Sequence, residues 1–208
     1  MASLPALSPR AARTRSALIS AGFELLAEKP IDAIQIDEVV ARAGVAKGSF
    51  FNHFADKPVF ASAIAEEVRR ELEDCITAAN AAVEDPLARI AGGMCVGAAF
   101  AMAEPKRTTV LLRSNASSTL ASHPLNRGLV EDMDAAVTAG LVREEARVGG
   151  VLYWLGLCQV LIANLIEERP ALDVARERLG AMVLLGLTGL GASHARAQAI
   201  ADAARAAL

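Results

Sequence analysis

Lys47, Gly48, Phe51 and Asn52 lie close together and could jointly contact a nucleic-acid duplex. The lysine supplies a cation for a phosphate or a guanine edge, the glycine lets the backbone come close, and the asparagine amide can hydrogen-bond a base. On a helix these four fall on one side, while Phe50 and Phe54, four apart, face the other way and can anchor it in a core. Phe51 is then a large apolar group expected at the surface. His53 fits either direct contact with DNA or a capping or padding role. Other chemistries find little support. There is no HExxH, no paired-cysteine motif, no phosphate-cradling glycine loop and no nucleophile elbow. Cys75, Cys95 and Cys158 are widely and unequally spaced, and the histidines stand at 53, 123 and 194, so only Cys158 with His123 could be imagined as a catalytic pair. The expectation is a protein that is not an enzyme and needs no metal or cofactor.

Short helices must carry the reading face. Ser8 followed by Pro9 reads as a cap and first helical residue. Leu18, Gly22, Leu25 and Leu26, beside Ile19 and Phe23, then make an apolar stripe ending near Lys29, before Pro30. Ile36, Val39, Val40 and Ala43 predict a second helix of about two turns, stopped at Gly44. The third is predicted over Lys47–Phe54, and a fourth from Asp56 or Lys57 toward Asn80. Two short helices joined by a glycine-containing turn are what a helix-turn-helix requires. Beyond Pro86, helices are predicted at about 87–104, 106–113 and 124–139, with Gly140 as a cap and a polar loop from Ser114 to His123. Two long apolar helices at about 144–168 and 173–190 and an alanine-rich one at about 192–207 complete an all-α chain. An arm, Met1–Leu7, precedes the first.

The net charge of −3 does not by itself favour nucleic acid. Residues 1–57 nevertheless total +1 and the rest −4, a mildly basic head on an acidic body. The N-terminus lacks the apolar core of a signal peptide, and the cysteines form no even framework, so the expected location is the cytoplasm. Val148–Ile166 and 179–195 are free of Asp, Glu, Lys and Arg, which raises a membrane span. Gln159 and Asn164 in the first run, glycines in the second and thin basic flanks argue against it.

The run from Ala43 to Lys57, AGVAKGSFFNHFADK, resembles the signature of TetR-type repressors, and LISAGFELL from Leu18 to Leu26 resembles that family's first helix. The resemblance implies that Gln35 enters the second helix where threonine usually touches a phosphate. It also implies that Ser49 offers a hydroxyl to DNA and that Lys57 binds phosphate at the positive end of the fourth helix. Phe51 replaces a common tyrosine and lacks its hydroxyl, and Pro30 replaces a frequent glycine.

The same resemblance implies two domains, a helix-turn-helix over 9–55 and a helical effector-binding and dimerisation domain over 56–208. The long helices at about 144–168 and 173–190 would pair with their copies in a homodimer that reads a palindromic DNA operator. A small-molecule effector would sit among helices four to eight, with Met94, Phe100, Arg113, His123, Met133, Trp154 and Cys158 as candidates. Each of these also reads as plain core. Trp154 and Cys158 share a face one turn apart, and Arg113 and His123 flank the polar loop, where an anionic or hydroxylated compound could be met.

Overall fold

The computed structural model describes residues 8–113 and 123–208; the expected arm Met1–Leu7 and the loop from Ser114 up to His123 lie outside them. Among the described residues there are ten α-helices and no strand: α1 (Pro9–Glu28), α2 (Ile36–Ala43), α3 (Lys47–Phe51), α4 (Lys57–Asn80), α5 (Pro86–Ala103), α6 (Pro105–Arg113), α7 (Arg127–Thr138), α8 (Ala146–Glu168), α9 (Leu172–Leu190) and α10 (His194–Ala207). The all-α reading holds. The chain divides into two compact units. The first comprises the described residues through Val68 together with Thr109–Arg113, and the second Arg69–Thr108 with residues 123–208.

In the first unit, Ser8 caps α1 by accepting from the Ala11 N–H at 3.3 Å, and Pro9 opens the helix without needing a partner. Leu18, Leu25 and Leu26 of α1 are buried against a core that includes Ile34, Val39 and Val40, Phe50 and Phe54, and Phe60, Ile64 and Val68 of α4. Gly22 permits this packing: a Cβ there would stand 2.2 Å from Phe60 Cζ and 2.6 Å from Ile64 Cδ1, so these two side chains of α4 lie directly on the α1 backbone. Arg113, at the end of α6, donates to the Leu26 carbonyl at 2.8 Å.

The second unit has its own core, with Leu87, Ile90 and Met94 of α5, Met133 and Val137 of α7, Val151, Trp154 and Leu161 of α8, Leu179, Val183 and Leu187 of α9 and the alanines of α10. Gly186 lets α9 lie against Trp154, whose Cζ3 would be 2.7 Å from an added Cβ. Arg89 of α5 bridges to Asp132 of α7 at 2.6 Å. Arg69 donates to Glu73 at 2.9 Å and to the buried Asn126 at 2.7 Å, tying α4 to the start of α7. Among the described residues two helices, α5 and α8, are long and apolar enough to cross a membrane by length and composition alone.

Candidate nucleic-acid interface

The reading helix is placed by a turn and held by aromatic packing. Gly44 ends α2 at φ 66°, a left-handed conformation that costs glycine little. The Val45 N–H then closes on the Val40 carbonyl at 3.0 Å, reversing the chain into α3. Phe50 is fully buried, with its ring centroid 5.1 Å from that of Phe60 and 5.7 Å from that of Phe54. Phe54 and Phe60 lie 4.8 Å apart, so three rings close a triangle in edge-on and tilted contacts, the favoured aromatic geometries. Phe60 escapes a reading based on the helix-turn-helix alone, although its place one turn into a helix, six residues after Phe54, is an available signal.

Opposite that triangle, Lys47, Gly48, Phe51 and Asn52 are all exposed, and Ser49 and His53 are half-buried. An added Cβ on Gly48 would meet nothing within 4 Å, so the backbone is open to an approaching ligand. Phe51 is 54% exposed and touches the structure edge-on to Phe50, at 5.4 Å between centroids. The predicted span of the third helix needs correction. It ends at Phe51, not Phe54, because the N–H groups of His53 and Phe54 both turn back to the Phe50 carbonyl, at 3.0 and 2.9 Å. Asn52 therefore caps the helix and His53 lies in the turn after it.

Electrostatics around the face are self-paired. The Lys47 ammonium meets Asp37 at 2.8 Å, Lys29 meets Glu38 at 2.6 Å, and Arg42 lies 3.5 Å from Glu28 and 3.7 Å from Glu24. The hydrogen bond from Lys29 holds the Glu38 carboxyl below its ordinary range. Gln35 is exposed and makes no side-chain cap; its carbonyl accepts from Glu38 and Val39 at 3.0 and 3.2 Å. Lys57 is half-buried and directs its ammonium inward to three backbone carbonyls, of Ile31, Asp32 and Ile34, at 3.3, 3.2 and 3.0 Å. Asp56, just before α4, accepts from the Val59 N–H at 2.8 Å.

The structure brings together only some of the candidate effector residues. Met94, Met133 and Trp154 are buried in the second unit's core, and Cys158 packs against it. Phe100 is half-buried and not part of that cluster. His123 caps a short 3-10 turn, its Nδ1 accepting from the Leu125 N–H at 3.3 Å. Arg113 is not among them: it belongs to the first unit, where it binds Leu26. Burial pushes the Cys95 and Cys158 thiols up to about 11 and about 12. Cys158 is then a neutral thiol at neutral pH, unsuited to nucleophilic work with His123.

Residues 18–64 match the family model described as bacterial regulatory proteins, tetR family. Those residues run from the anchoring stripe of α1 through the turn, the aromatic triangle and the start of α4. The N-terminal segment is thus of the TetR type. A curated relative, the transcriptional regulator AcuR of Cereibacter sphaeroides, is 39% identical over 62 residues, which are 30% of this chain and 28% of the relative. The match thus spans less than a third of the relative's length. The fold is shared more widely. A solved tetR family transcription regulator from a Shewanella species superposes with a TM-score of 0.73 at 17% identity, over 85% of this chain and 97% of that one. RolR, solved with resorcinol bound, gives a TM-score of 0.63 at 21% identity, over 92% and 94%.

Proposed function

We propose that this chain is a homodimeric transcriptional regulator, a repressor that α3 seats on a palindromic operator and that a small molecule releases. The observation that carries the reading is the two-sided α3: one side locked by Phe50, the other open through Lys47, Gly48 and Asn52. Ser49, His53, Gln35 and Phe51 complete the proposed contact set, with the Phe51 ring packing on a sugar or a thymine methyl. The helix-turn-helix over 9–55 reads, and 56–208 senses and dimerises.

Exposed apolar residues support dimerisation through α8 and α9. Val148 (92% exposed), Leu152 (62%) and Val160 (64%) recur with Gly156 at four-residue steps, one continuous stripe along α8. Leu185, 64% exposed, gives α9 a matching apolar position. A stripe on one face fits a protein partner better than lipid, which requires an apolar surface all round. Asn164 and Glu168 of α8 also accept from Arg178 of α9, a polar network foreign to a hydrocarbon environment. Two copies would then present two α3 helices to half-sites about 34–36 Å apart or a multiple of that. The effector is proposed to lodge beside Met94, Met133, Trp154 and Cys158, and DNA binding sets the place of work as the compartment that holds the chromosome, the cytoplasm of a bacterium. Selection of bound duplexes from a random pool, repeated at several salt concentrations, tests the reading. A palindromic site whose affinity falls steeply with salt is expected; no palindrome and no salt dependence overturns it.

A further inference from the structure

The lysine that opens α4 is occupied within the protein. An ammonium group has three protons to donate, and around Lys57 three carbonyls lie within hydrogen-bond distance: Ile31 at 3.3 Å, Asp32 at 3.2 Å and Ile34 at 3.0 Å. All three belong to the turn between α1 and α2, which includes the short 3-10 segment Ile31–Ala33. The Ile31 carbonyl serves twice, since the Ile34 N–H also donates to it at 3.1 Å. One amide at the positive end of α4 is taken as well, because the Asp56 carboxylate accepts from the Val59 N–H at 2.8 Å. A phosphate arriving here would compete with three carbonyls for the cation and meet the Asp56 carboxylate beside it.

We propose that Lys57 is a positioning residue, which pins the turn leading into α2 onto the first residue of α4 instead of neutralising an operator phosphate. The link joins two places 23 to 26 residues apart in sequence. α2 begins two residues after Ile34, and the start of α4 already holds α3 through Phe60 and Phe50. The reading pair is therefore fixed to α4 at both ends, by aromatic packing after α3 and by the Lys57 tripod before α2. A planar guanidinium cannot reproduce a tripod that converges on one nitrogen, so arginine is not a substitute here although it keeps the charge.

The inference rests on the DNA-binding reading, and its test separates the two. Hydrogen exchange on the full chain without DNA follows the Ala33 and Ile34 amides, which close the turn onto Pro30 and Ile31. Lys57→Met and Lys57→Arg are both expected to speed that exchange about tenfold or more, and Lys47→Met to leave it unchanged. Binding to the selected operator duplex is then measured against salt, at a temperature where circular dichroism shows each variant fully folded. Lys57→Met should weaken binding with an unchanged slope of log affinity on log salt, whereas Lys47→Met should flatten it by about 0.9 per subunit. Unchanged exchange in the Lys57 variants overturns the proposal, as does a flattened slope in Lys57→Met or full recovery of binding in Lys57→Arg. Should Lys57→Met fail to fold, Lys57→Arg decides through its exchange and affinity. Should the wild type bind no DNA, the exchange arm still tests the clamp and only the DNA reading falls.

Discussion

Gly22→Ala should damage DNA binding from the far side of the helix-turn-helix. Alanine is the better helix former by about 0.8–1 kcal/mol, so in an open position of α1 the change would stabilise. Here the new methyl would lie 2.2 Å from Phe60 Cζ, 2.6 Å from Ile64 Cδ1 and 2.6 Å from Phe60 Cε1. Phe60 is 1% exposed and packed edge-on to Phe50 and Phe54, so its ring has no free space to enter. Overpacking of this kind costs about 1–3 kcal/mol, and three contacts this short place the cost at the upper end, for a net loss of about 2 kcal/mol after the propensity gain. In a unit of this size such a loss lowers the melting temperature by about 8–16 °C if the unit melts as its own cooperative block. Scanning calorimetry, with hydrogen exchange in α1 and α4, reads the loss directly. Because Phe60 braces Phe50, operator affinity should also fall at temperatures where the variant is still folded. The reasoning is refuted if Gly22→Ala melts within about 2 °C of wild type, since the propensity and packing effects would then cancel or the helices would separate freely.

The contrasting substitution is Gly48→Ala, where a methyl meets nothing in the free protein. It should leave the melting temperature unchanged or slightly raised, and still weaken operator binding by filling the gap the duplex needs; equal affinity would remove α3 from the interface. Leu152→Glu should put a charge in the middle of the exposed stripe of α8 and convert a dimer to monomers in analytical ultracentrifugation, with loss of operator binding; an unchanged sedimentation coefficient would place the interface elsewhere. Thiol alkylation should label the exposed Cys75 readily. Cys95 and Cys158 should resist it in the folded chain through about pH 10, because burial favours the neutral thiol and pushes them up to about 11 and about 12. Labelling of either at pH 8 at the rate of the unfolded chain would contradict that burial.

The helix-turn-helix was legible in the sequence because its signals are local. Ser8 and Pro9 start α1 through bonds within one turn, Gly44 stops α2 through its own φ, and Phe50 and Phe54 reach the core because their spacing matches a helical period. The extent of α3 was less so: a period of 3.6 cannot tell a second helical turn from a tightened one, and here two N–H groups share the Phe50 carbonyl. Where long side chains settle was not legible at all. Lys57 is at a helix start, where the sequence suits an anion, yet its reach brings it to three carbonyls of an earlier turn. Arg113 reads as a pocket cation until the fold carries it to the carbonyl of Leu26, 87 residues away. A flexible cation settles wherever unpaired acceptors converge, and only the tertiary fold decides where that is. The sequence by itself determined which helices form and which face of α3 is polar. The tertiary structure decided which partner each cation around that face takes in the free protein, and why Gly22, without any side chain, helps to hold the face in place.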